Sequence, residues 1–141
     1  MNENQIRAIL QCDYMTKDRY GGVYSIDELP TWQRGRVYVI NTDEQDKPGE
    51  HWVAVYDNEY FDSFGFPPMD KRLIQFLPKY TYNATPLQRV LSNACGFYCV
   101  YYILQRARGN SAKDIIDVLK HSDSDFIVKH AIYDCYKPLF H

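Results

Sequence analysis

Apolar positions near the start of the chain, Ile6, Ile9 and Leu10, fall on one face of a helix predicted over residues 3 to 11. The stretch that follows is polar and punctuated by Asp18, Gly21 and Gly22, so it reads as a loop. Arg36 to Asn41 (RVYVIN) alternates with the period of a strand, and the polar segment Thr42 to Glu50, with Pro48 and Gly49, reads as a turn. His51 to Tyr56 (HWVAVY) is a second strand and Tyr60 to Phe64 (YFDSF) a third. The Asp57-Asn58 pair between them predicts an antiparallel hairpin. Asp70 caps a helix over 71 to 77 that Pro78 ends, and Leu87 to Leu91 reads as a fourth short strand.

From Asn93 to about Arg108 the period is helical. Phe97, Tyr98, Val100, Tyr101, Ile103 and Leu104 leave that helix almost no polar face, which predicts a central, buried helix. Gly109 stops it, and Ser111 with Asp114 starts another helix running to about Lys120. Asp123 or Ser124 caps a last helix through Ile132. The pattern as a whole is α+β: a small, mostly antiparallel sheet packed on a central buried helix, with helices at both ends.

The 141 residues are expected to form one domain over 1–141, large enough for a core without disulfide staples. Hydrophobic content of 45% and charged content of 24% exclude disorder, collagen and coiled coil. Net charge is −2, but it is unevenly spread. Residues 1–70 hold 6 basic and 13 acidic side chains, whereas 71–113 hold 7 basic (Lys71, Arg72, Lys79, Arg89, Arg106, Arg108, Lys113) and none acidic. Four cysteines (Cys12, Cys95, Cys99, Cys135) are too few and scattered for a disulfide framework. With no secretory leader recognisable, reduced thiols in an intracellular, reducing compartment are expected. The longest apolar run, Cys95 to Leu104, is about half a membrane span, so no membrane partner is expected.

This layout brings four polar groups toward one place. His51 opens a strand, Asp62 lies in the next, Gln88 sits on the last strand and Cys95 starts the buried helix. A thiol attacks as thiolate, and its pKa falls at a helix N-terminus and beside an imidazolium. An imidazole needs a carboxylate to fix its tautomer. Attack on an amide builds an oxyanion that needs preset donors, for which the Gln88 amide and the Cys95 N–H are candidates. Each residue also has a structural alternative: Cys95 and Cys99 as core thiols, His51 as strand-edge packing, Asp62 as a loop cap, Gln88 as an exposed strand residue. Burial is the favoured reading of Cys12 and Cys135. The Tyr98, Tyr101, Tyr102 run reads as core. His121, His130 and His141 show no metal-ligand spacing, so no metal is assigned.

The segments Gly49-Glu50-His51-Trp52, Phe61-Asp62-Ser63-Phe64-Gly65-Phe66 and Gln88 through Asn93-Ala94-Cys95-Gly96-Phe97-Tyr98-Cys99 resemble the adenovirus protease family (adenain), which belongs with the ubiquitin-like-protein proteases. The chain order His, Asp, Gln, Cys matches that family and not papain, where Cys comes first. The seven-position step from Gln88 to Cys95 is similar to adenain rather than to the deSUMOylases. Gln5-Ile6-Arg7-Ala8-Ile9-Leu10, Asp18-Arg19-Tyr20 and Val39-Ile40-Asn41-Thr42 extend the resemblance over roughly residues 5 to 108.

The resemblance implies a cysteine endopeptidase with Cys95 as nucleophile, His51 as general base and acid, Asp62 as orienting carboxylate and Gln88 as oxyanion donor. Gly49, Glu50 and Trp52 would contact substrate, Trp52 walling a narrow channel that admits Gly-Gly or X-Gly sites. Asp62 stands where adenain has glutamate. Residues 63 to 87 contain no cysteine, so an activating peptide joined by a disulfide has no attachment point there. The sequence requires no cofactor. The positive segment 71–113 and the resemblance together raise DNA or an acidic peptide as an activator. Three functions stand: a monomeric virus-like maturation protease of the host nucleus or virion, a deconjugating enzyme for ubiquitin-like proteins, and a catalytically silent binding module.

Overall fold

The computed structural model describes residues 1–44, 51–88, 92–120 and 123–140. The elements run α1 (Glu3–Cys12), β1 (Tyr20–Ser25), β2 (Val37–Asn41), β3 (Trp52–Tyr56), β4 (Glu59–Phe61), α2 (Lys71–Phe76), β5 (Thr81–Tyr82), α3 (Cys95–Ala107), α4 (Ala112–Leu119) and α5 (Ser124–Tyr136). A 3-10 turn, Lys137–Phe140, follows α5. The fold is α+β as expected.

The five strands lie in chain order, β1-β2-β3-β4-β5. β2, β3 and β4 form the antiparallel meander, with Asp57 at φ 55° in the hairpin turn. The two edges differ from the expectation of a mostly antiparallel sheet. β1 pairs parallel to β2, and the two-residue β5 pairs parallel to β4, so the sheet is mixed. β1 itself falls in the segment read as a loop. Gly21 and Gly22 lowered its strand signal, but they mark an irregularity where the register shifts between Tyr20 and Gly22. A side chain at Gly21 would begin 2.5 Å from the Tyr38 ring, so glycine is what lets β1 lie over that tyrosine.

Both faces of the sheet are covered. Val37, Val39, Ala54, Tyr56 and Phe61 face α3, which also packs on α1, α4 and α5, whereas Tyr38, Ile40, Val53, Val55 and Tyr60 face Leu73 and Phe76 of α2 with Ile26 and Leu77. Two-sided burial explains why every residue of β2 is buried. α3 is the central helix: Tyr98, Cys99, Val100 and Ile103 have no exposed surface, and Tyr102 stacks on Phe61.

Helix ends follow local chemistry. Asn2 and Gln5 form a reciprocal capping box on α1, Asp70 accepts from Arg72 N on α2, and Ser111 accepts from Asp114 N on α4. α2 stops one residue earlier than expected because Leu77, preceding Pro78, is extended at φ −93°, ψ 118°. α5 runs four residues past Ile132, and the turn after it brings Phe140 onto Tyr133 and Phe97. Among the described residues, no helix is long and apolar enough to cross a membrane.

Candidate active site

The third strand ends at Phe61, so Asp62 lies just past it and not within a strand reaching Phe64. The reason is that Asn83 takes the place of a ladder partner: its Oδ1 accepts from Asp62 N (3.1 Å) and its Nδ2 donates to Asp62 O (2.8 Å). The chain then turns tightly, with Gly65 N donating to Asp62 O at 2.8 Å. Gly65 has φ +81°, and a Cβ there would stand 2.7 Å from Pro86 N. Only glycine permits both the turn and the approach of the 84–88 segment.

That turn points Asp62 Oδ1 at two donors, the Phe64 N–H (2.8 Å) and the His51 ring Nε2 (2.9 Å). Phe64 stacks on the imidazole with centroids 4.8 Å apart, so one turn supplies both the partner and the cover of His51. His51 precedes β3, and Cys95 opens α3, which packs on β3. Gly96 lies at that contact: a Cβ there would stand 3.1 Å from Met1 Cβ and 3.4 Å from Trp52 Cδ1, so the tighter limit is against Met1.

The electrostatics follow from this packing. Burial works against a charged ring at His51, yet hydrogen bonds to Asp62 and Cys95, and the charges of both, outweigh it and hold the imidazolium up to about 9. Burial likewise pushes the Cys95 thiol up. The hydrogen bond from His51 and the backbone N–H groups of Trp52 and Gly96 overcome that and draw it below the ordinary thiol value. Cys99, one turn further along α3 and fully buried, goes the other way: burial raises it well above the ordinary value. The same helix thus carries one thiol prepared for ionisation and one held neutral.

Gln88 is not on a strand. Its N–H and that of Leu87 both donate to the single carbonyl of Ser63 (3.0 and 2.8 Å), which is a loop crossing and not a ladder. The rest of the expected strand, residues 89–91, lies outside the described residues. The Gln88 side chain is 5% exposed; its Oε1 accepts from the buried Ser63 hydroxyl and its Nε2 donates to Ser92 O at 2.8 Å. An amide has one oxygen and two N–H groups, so this arrangement sets its orientation and, among the described residues, engages one of the two N–H groups. Gln88 is thereby tied on one side to the neighbour of Asp62 and on the other to a residue three before Cys95.

His51, Asp62 and Cys95 are therefore in one hydrogen-bonded set, with Gln88 held at its flank. Trp52 lies against the first turn of α3; Gly49 and Glu50 lie outside the described residues. Ser63, Phe64 and Asn83 were not singled out from the sequence. The first two were legible only as part of the FDSFG word, and Asn83 carries no local signal. Cys12 and Cys135 are exposed free thiols, not buried ones, because each falls on the outward face of its helix. Among the described cations of 71–113, Arg72 pairs with Asp70 and Glu44, Arg106 with Glu59 and Arg108 with Asp13.

No family model matches the chain. A protease of bovine adenovirus 4 is 26% identical over 129 aligned residues, covering 72% of this chain, and the chain spans 63% of that protease's length. A crystal structure of an ASFV protease overlaps 63% of this chain and 43% of its own, with a TM-score of 0.39 at 24% identity.

Proposed function

We propose that this chain, a relative of the adenovirus proteases, is a cysteine endopeptidase that cuts proteins after glycine in the maturation of viral precursors. The observation that carries the proposal is the hydrogen-bonded run from Asp62 through His51 to Cys95, with one thiol pKa lowered and the imidazole pKa raised. A silent binding module has no use for that pairing.

The chemistry follows from the groups in place. The Cys95 thiolate attacks the scissile carbonyl carbon, and the C–O π electrons move to oxygen. The remaining Gln88 Nε2–H stabilises that oxyanion, together with the N–H of Cys95, since first-turn amides of a helix point outward from its start. His51 gives its proton to the leaving amine, the C–N bond breaks, and a thioester remains on Cys95. His51 then takes a proton from water, which attacks the thioester and regenerates the thiolate. Asp62 keeps the ring oriented and compensates its charge throughout. Cys95 is 6% exposed, with Trp52 against its helical turn, so the approach to sulfur is narrow. A glycine before the scissile bond, with no Cβ, suits such an approach.

The test is hydrolysis of a peptide amide bearing Gly-Gly before a coumarin reporter, with a ubiquitin-like fusion run in parallel. Wild type is expected to cleave the peptide and Cys95→Ala to be inactive but folded. Iodoacetamide at neutral pH is expected to label Cys95 far faster than Cys99. Equal labelling of the two thiols in the folded protein, or full activity of Cys95→Ala, overturns the proposal.

A further inference from the structure

The segment from Leu87 to Ala94 carries Gln88 at one end and delivers Cys95 at the other, and its described residues are anchored on α5, a helix outside the region of family resemblance. Ser124 Oγ donates to Leu87 O at 3.1 Å. Ser92 Oγ donates to Asp125 Oδ2 at 2.5 Å and accepts from Ala94 N at 3.2 Å. The second oxygen of Asp125 accepts from the Tyr98 hydroxyl at 2.5 Å, and Tyr98 is fully buried one turn along α3 from the nucleophile. Asp125 therefore joins the segment before Cys95 to the helix that begins with it. The carbonyl of the same Ser92 receives Gln88 Nε2 at 2.8 Å.

We infer that Asp125 is a positioning residue for the oxyanion donor: by fixing Ser92 against α3 it fixes the acceptor that aims the Gln88 amide. The inference rests on the protease reading above. The physical case is one of hydrogen-bond inventory. Gln88 has two N–H groups; one must be held by the Ser92 carbonyl for the other to have a defined direction, and a carbonyl on a loop has a defined position only if the loop is anchored. A carboxylate is suited to that anchoring because it accepts from the Ser92 and Tyr98 hydroxyls at once, in charge-assisted bonds that are shorter and stronger than neutral ones. Oxyanion donors work by being in place before charge develops, so loosening the aim costs turnover more than substrate binding.

The experiment is a double-mutant cycle on peptide hydrolysis, combining Gln88→Ala with Asp125→Ala, and with Ser92→Ala as the smaller change at the same joint. Asp125→Ala is expected to lower kcat about tenfold, with KM nearly unchanged, and to leave the iodoacetamide rate of Cys95 unaltered, because the Cys95–His51 pair does not pass through Ser92. Asp125→Asn, which keeps one acceptor oxygen, is expected to recover part of the loss. In the Gln88→Ala background, Asp125→Ala and Ser92→Ala are expected to cost nothing further. Multiplicative losses in both pairs overturn the inference, as does a change confined to KM or an equal fall in the Cys95 alkylation rate. A wild-type chain that hydrolyses nothing overturns the protease reading and this inference with it; a wild type that cleaves while the cycle is multiplicative overturns this inference alone.

Discussion

Asp62→Asn keeps the shape of the residue and removes its charge, and the structure says what that charge does. The imidazolium of His51 is held up to about 9 from an ordinary 6.5, a preference for the charged ring of about 3 kcal/mol after the burial penalty has been met. Asp62 is the larger of its two favourable partners and Cys95 the smaller. Without the carboxylate charge, burial meets much less opposition, and the ring is expected to titrate about two pH units lower. The sign is fixed by the chemistry. In the proposed mechanism the active pair is thiolate with imidazolium, so activity is expected to be lost on the alkaline side as the ring gives up its proton. At pH 8 a ring titrating at about 9 is roughly nine-tenths charged and one at about 7 roughly one-tenth, which alone is a tenfold fall in active pairs. The measurement is kcat/KM for the Gly-Gly peptide from pH 5 to 10, in parallel with the pH dependence of Cys95 alkylation. Wild type should show its alkaline limb near 9 and Asp62→Asn should show it well below 8, with a total loss smaller than that of His51→Ala. An alkaline limb unmoved by Asp62→Asn refutes the assignment of Asp62 as the group that sustains the imidazolium.

Gln88→Ala is expected to lower kcat by about 10²-fold with little change in KM, the cost of one oxyanion donor; full turnover in that variant removes Gln88 from the mechanism. Double-stranded DNA at about 50 mM salt is expected to leave the cleavage rate unchanged, since Arg72, Arg106 and Arg108 are engaged in ion pairs within the fold. A DNA-dependent rise in rate that collapses as salt increases would establish a nucleic-acid activator and refute that expectation.

Much of the candidate site was legible because its requirements are local. A buried helix beginning near Cys95, a strand opened by His51 and an acid read as part of the next strand are all features of residue type and spacing, although the strand in fact ends at Phe61 and leaves Asp62 just past it. The helix caps at Asp70 and Ser111 were legible for the same reason: a side chain two or three residues from the N–H that it satisfies leaves its mark within one turn of sequence.

The parts that were not legible depend on partners far along the chain. Strand β1 has glycines where strands seldom do, and it becomes a strand because β2 offers it a ladder and Tyr38 leaves room only for glycine at position 21. Gln88 reads as part of a strand by composition, but two N–H groups converging on Ser63 O make it a loop residue whose amide direction is set from 25 positions away. Asp125 reads as an ordinary first-turn acid of α5, and nothing in its neighbours announces a bond to Ser92, 33 residues earlier. By itself the sequence determined the helices, the β2–β4 meander and which residues are candidates for chemistry, because hydrophobic period, capping and residue spacing act over a few residues. The tertiary structure decided which way the His51 ring and Gln88 amide point, and which thiol is drawn below the ordinary value and which is held above it. Orientation and desolvation arise only when Asp62, Ser63, Phe64 and α3 are packed together.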